Sequence, residues 1–124
     1  MTALPEEVSS AWENHEGPII LSTVNKGGIP NSIYATCVSK YSEDTLVIAN
    51  NYFSKTLENI AAGSKGSILF ITKAGKSYQV KGSIEYHKDG PIFEDMKKWN
   101  KKHPGHAATA LKVEEVYSGA EKLL

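Results

Sequence analysis

The stretch NNYFSKTLENIAAG, Asn50 to Gly63, sets a helix start directly after the strand-like run Thr45-Leu46-Val47-Ile48-Ala49. Ser54 is a good N-cap residue, Leu57, Ile60 and Ala61 fall on one helical face, and Gly63 supplies the stop. A cap needs one hydroxyl, yet the joint carries Ser54, Lys55 and Thr56 together. A cation at a helix N-terminus is mildly unfavourable, by about 0.3–1 kcal/mol when exposed. A bound phosphate reverses that sign, because unpaired backbone N–H groups, two hydroxyls and an ammonium all favour an anion. The alternative on these residues alone is a capped surface helix that tolerates its lysine.

Outward from this joint the chain alternates strands and turns. A short helix is predicted over 5–15, with Pro5 in the first turn, Glu6 and Glu7 at its positive end, and Val8 and Trp12 spaced i, i+4. Strands are predicted over 19–25, 29–41, 46–50, 67–72, 77–87 and 108–117, with Lys26-Gly27-Gly28 as a hairpin signal. A third helix begins at Asp89-Gly90-Pro91, carries Ile92, Phe93, Met96 and Trp99 as its apolar stripe, and closes at His103-Pro104-Gly105. Residues 118–124 read as a polar tail. Six strands joined mostly by short turns, with helices at a few corners, predict a mainly β, antiparallel barrel. No repeat or linker divides the chain, so residues 1–124 are expected to form a single domain.

The totals narrow the function classes. At 124 residues the chain can bury roughly two-thirds of its unfolded surface, enough for a core without disulfides or metal. Lys+Arg and Asp+Glu are both 14, so no net field draws it to nucleic acid or anionic membrane. Lys97, Lys98, Lys101 and Lys102 crowd one segment, which reads as a solvated helix face. The lone Cys37 fits a reducing compartment and a buried, inert thiol. The acidic N-terminus lacks the apolar run of a signal peptide, no apolar run is long enough to span a membrane, and a cytoplasmic protein is expected.

Further polar residues gather near the helix joint. Asn50 and Asn51 offer side-chain amides where a strand ends, and the run Pro30 to Thr36 mixes small, polar and aromatic residues along which a flat ligand could lie. Gln79 interrupts an apolar strand, where a buried amide would want a partner. His15, His87, His103 and His106 make no metal-ligand spacing, and no P-loop or nucleophile elbow is present. A small barrel binding single-stranded nucleic acid through Tyr52, Phe53, Tyr78 and Tyr86 is a competing class, opposed by the neutral charge and by basic residues that are all lysine. A cofactor-free interaction dimer is a third.

The order of a Gly-Pro strand, a Gly-Gly turn, a Pro-Asn strand, IANNYFSKTLENI, SILFITK, YQVKGSIEYH and a closing KVEEVY resembles the FMN-binding split-barrel family related to pyridoxamine 5'-phosphate oxidase, in its short members. The resemblance covers nearly the whole chain. It implies a six-stranded split barrel that forms a homodimer with one FMN per subunit at the interface, serving as an oxidoreductase or electron carrier. It also implies Lys55 and Thr56 at the FMN phosphate beside Ser54, and Tyr34, Ala35 and Thr36 along the ribityl chain and ring. Ala49, Asn50 and Asn51 would line the flavin, Gln79 would match a family glutamine that contacts it, and Tyr117 or the His103–His106 turn of the partner subunit would cover it. Two departures stand out: the oxidases carry Arg where Ser54 stands, and they end in an Arg- and His-containing segment that this sequence lacks. Oxidation of pyridoxamine phosphate is therefore not expected, and no catalytic side chain is identified.

Overall fold

The computed structural model describes residues 3–99 and 101–124. Its elements in chain order are α1 (Glu6–Glu13), β1 (Ile19–Val24), β2 (Pro30–Ala35), β3 (Val38–Ser42), β4 (Thr45–Asn50), α2 (Lys55–Ala61), β5 (Gly66–Ile71), β6 (Ser77–His87), α3 (Gly90–Lys97), β7 (Ala107–Ser118) and β8 (Glu121–Lys122). The strands make one antiparallel sheet in the order β2-β1-β5-β6-β7-β4-β3, with β8 paired to β7. Only Thr36 and Cys37 separate β2 from β3, yet these strands are the two ends of that order. A flat sheet cannot satisfy both facts, so the sheet curls until its two ends come together at that link, and a split bordered by β2 and the end of β4 is left where no pairing joins them.

This corrects the six-strand expectation. The run 29–41 is not one strand, because Ala35 pairs with Ile19 while Val38 pairs with Ile48 on the opposite side of the curl. The supposed polar tail also returns to the sheet: Leu123 N–H donates to Val116 O at 2.8 Å, and Leu123 and Leu124 pack against the core. A short pairing needs no long alternating run, which is why β8 left no pattern.

The main core lies inside the curl and joins Ile19, Leu21, Leu46, Ile48, Ile68, Val80, Leu111 and Val116. Each such side chain contributes about 1.5–3 kcal/mol on full burial. Helix α1 closes one end with Val8, Ala11 and Trp12. The Trp12 ring meets Phe70 edge-on at 5.2 Å, and Phe70 stacks on Tyr78 at 5.6 Å. A second cluster, with Val47, Ala49, Ala108, Ala110 and Met96, seats α3 on the other face of β4 and β7. Gly82 of β6 stands opposite a bulge in β7, where Glu114 is the extra residue, and a Cβ on Gly82 would stand 1.8 Å from Lys112 O, so only glycine lets the two strands approach.

Candidate functional site

Helix α2 turns a different face inward from the one its apolar residues suggest. Thr56 and Asn59 are the buried positions, Ala61 is exposed, and Leu57 and Ile60 are half-buried. The buried polar groups are paired: Asn59 Nδ2 donates to Thr23 Oγ1 at 3.0 Å, and Asn31 Nδ2 donates to Thr56 Oγ1 at 3.1 Å. These bonds fix the helix against β1 and β2 and so set one wall of the split. Ser54 occupies the N-cap position, but its side chain makes no capping bond. Its hydroxyl instead borders the split, as do Lys55 and Thr56.

The split opens as a cleft of about 360 Å³. Lys55, Ser54, Thr56 and Asn31 surround one end, and Ile33, Ala35 and Phe53 give it an apolar floor. Among the described residues, the edge of β2 away from β1 pairs with no strand, so its backbone groups are open toward this space. Tyr34, 75% exposed, and Thr36 stand along the same edge. Lys55 Nζ pairs with Glu58 Oε1 at 3.1 Å, both side chains being well exposed, so the ammonium can turn to another anion at little cost.

The expected residues do not all converge here. Tyr34, Ala35, Thr36, Ala49, Asn51, Ser54, Lys55 and Thr56 border the cleft. Asn50 does not. It is 3% exposed, donates from Nδ2 to Tyr86 Oη at 2.5 Å and accepts from Phe53 N–H at 3.0 Å, so its amide organises the turn after β4. Gln79 does not either, and lies on the outer face of the sheet between Leu69 and Tyr117. Its strand alternates buried Tyr78 and Val80 with outward positions, and Gln79 is an outward one.

Two further neighbours stand where the sequence does not place them: Cys37, which reads there as a buried thiol, and His103, whose turn reads as a cover supplied by the partner subunit. Cys37 borders the cleft because it sits in the short link between the sheet edges. His103 borders the cleft of its own chain, with Nδ1 at 3.5 Å from Tyr52 Oη. Local pattern does not place either of them on this cleft, since both arrive through tertiary folding of a loop. Among the described residues there is no group of three or more His, Cys, Asp or Glu able to hold a metal ion.

Comparison with known proteins gives this geometry its context. The protein-family model described as pyridoxamine 5'-phosphate oxidase matches residues 4–119. An uncharacterized protein of Methanocaldococcus jannaschii is 31% identical over 121 residues, covering 93% of this chain and 80% of the relative. Among solved structures, HupZ of Group A Streptococcus superposes with a TM-score of 0.79 at 24% identity, covering 93% of each chain. An FMN-binding protein of Syntrophomonas wolfei gives 0.74 at 18%, covering 87% of this chain and 80% of that one. A pyridoxamine 5'-phosphate oxidase-related, FMN-binding protein of Nostoc punctiforme gives 0.69 at 12%, covering 94% and 84%. At these identities the structures establish a shared fold and no more. The family model spans almost the entire sequence, and with it the conclusion is direct: the chain belongs to the pyridoxamine 5'-phosphate oxidase family.

Proposed function

We propose that this protein is a homodimeric flavoprotein that holds FMN in the split of each barrel and serves oxidoreduction or electron transfer. The observation that carries the reading is the cleft's polarity, a lysine and hydroxyls at one end and, beyond them, a mixed lining of apolar, aromatic and polar side chains that has no carboxylate among the described residues. That matches a molecule with a phosphate at one end and a flat ring at the other. Lys55 would pair with the phosphate, and the Ser54 and Thr56 hydroxyls would donate to it, with Asn31 holding Thr56 in place. Phe53, Ile33 and Ala35 would seat the apolar part, while the unpaired edge of β2 orients the ring's polar rim. Bound FMN supplies the electron chemistry, and the chain supplies position and surroundings.

The outer face supports the dimer. Tyr34, Ile20, Leu69, Gln79 and Tyr117 stand side by side in register across β2, β1, β5, β6 and β7, and Leu69 and Ile71 are 40% and 45% exposed. An apolar band of this kind marks a protein contact. A partner docked there would bring Gln79 toward a cleft it cannot reach within its own chain. The Ser54 position, with no guanidinium beside Lys55, favours a reaction other than pyridoxamine phosphate oxidation.

The first test is the visible absorption spectrum of the purified protein, repeated after FMN addition and desalting. Retained oxidised-flavin bands support the reading. A colourless protein that passes FMN straight through overturns it and leaves a cofactor-free interaction dimer or a single-stranded nucleic-acid binder.

A further inference from the structure

Cys37, Ala49, Asn51 and His103 border both the cleft proposed for the flavin and a second, neighbouring chamber of about 370 Å³. Its other walls come from α3 and the loop after it. Met96 and Trp99 give an apolar and aromatic surface, while Lys97 and Lys101 join His103 at the rim. Among the described residues, no carboxylate borders the chamber. The acid beside it, Asp95, accepts from Trp99 Nε1 at 3.4 Å and lies outside the lining. In a chain with as many acids as bases, such one-sided lining is selective.

The loop wall is tied in place from three directions. Asn51 Oδ1 accepts from Gly105 N–H at 2.9 Å, and Lys97 Nζ donates to Pro104 O at 3.1 Å. Gly105, at φ +56°, lies so close to Met96 that a Cβ would meet its Sδ at 3.1 Å. The lysines that read as a solvated face are therefore divided, with Lys97 and Lys101 turned to a chamber.

We propose that this chamber receives a flat organic anion, of the aromatic carboxylate class, as the molecule that meets the flavin. The inference rests on the flavin reading for its role, and on the lining alone for its chemistry. Trp99 and Met96 take the apolar body, and the lysines attract the carboxylate. Contact with the flavin follows from the four shared residues, since an occupant of one chamber abuts the occupant of the other.

The test is calorimetric titration of the FMN-loaded protein with 2-naphthoate and with its neutral counterpart 2-naphthamide. The naphthoate should bind at least about tenfold more tightly, an effect of the size expected for a charge a few Å from a partly exposed ammonium. Lys101→Glu should erase that preference while retaining bound FMN and the same thermal midpoint. Equal binding of the two probes overturns the proposal, as does a preference that survives Lys101→Glu, or naphthoate that displaces FMN. The same titration without FMN separates the two readings. A protein that takes up no flavin but still prefers naphthoate, through Lys101, keeps the anion site and loses the flavin. One that holds FMN and shows no preference does the reverse.

Discussion

Asn31 and Thr56 lie 25 positions apart, and the 3.1 Å bond between the Asn31 amide and the Thr56 hydroxyl joins the edge strand β2 to helix α2 at one end of the split. The hydroxyl that meets the proposed phosphate is thus held by a second polar side chain. Thr56→Val keeps the shape but removes the acceptor. We expect a stability loss of about 0.5–1.5 kcal/mol from the lost bond. FMN should be held roughly tenfold more weakly, equivalent to about 1.4 kcal/mol. Thermal unfolding and a fluorimetric FMN titration check the two effects separately.

Lys55 gives the complementary case. Its partner Glu58 is exposed, so Lys55→Ala should change stability by no more than about 1 kcal/mol. FMN affinity should nevertheless fall by about tenfold or more, because a charge-assisted contact to phosphate is lost. Glu58→Gln, which releases the ammonium, should leave affinity equal or raised. Lys55→Ala with undiminished FMN affinity would refute the phosphate assignment.

On the outer face, Leu69→Glu should separate the proposed dimer. Leu69 stands between Ile20 and Gln79 in the apolar band, so a carboxylate there opposes burial without disturbing the inward neighbours Ile68 and Phe70. Sedimentation should show the native protein as a dimer and the variant as a monomer. If both sediment alike, the band is not the interface.

Gly82→Ala tests the bulge. A methyl group 1.8 Å from the Lys112 carbonyl forces β6 and β7 apart, and overpacking of this kind costs about 1–3 kcal/mol or more. The thermal midpoint should fall by several degrees, whereas Gly28→Ala, in an open turn with positive φ, should cost less.

Acid should destabilise the protein through identifiable carboxylates. The Ser42 hydroxyl, then Thr45, holds Asp44 below its ordinary range, and Lys76 followed by Tyr78 does the same for Glu7. Lys40 lowers Glu43, and Lys65 lowers Glu114. A depressed folded pKa means that the unfolded chain takes up protons first as pH falls. The stabilisation is therefore complete above the ordinary carboxylate values and fades below about pH 4. Thermal midpoints between neutral and acid pH should show this slope, and Asp44→Asn should make it shallower.

Much of this architecture is legible in local pattern. The Val8 and Trp12 spacing marks α1, alternation in β6 marks the longest inner strand but one, and Ser54-Lys55-Thr56 marks the cleft. What local pattern does not carry is the direction of a polar residue. Asn50 and Asn51 are adjacent amides, yet one is consumed by Tyr86 and the other by Gly105, partners 36 and 54 positions away. Helix α2 misleads for the same reason, since its buried face is chosen by hydrogen bonds to Asn31 and Thr23 rather than by apolar side chains. The break at Thr36 and Cys37 follows from curl, a property of the whole sheet.

That two-residue link has a consequence for how the protein folds. The pairs β1–β2, β3–β4 and β5–β6 are local hairpins, whereas Leu21 finds Ile68 and Ile48 finds Thr109 across long stretches of chain. Hairpins close in about 1–10 μs, and distant pairings are slower because loop closure must precede their contacts. β2 and β4 never pair with each other, so their spacing is set only once β1, β5, β6 and β7 have joined them into a ring. In refolding, recovery of flavin binding should therefore trail recovery of strand signal in circular dichroism, the ligand acting as a late reporter of the finished ring.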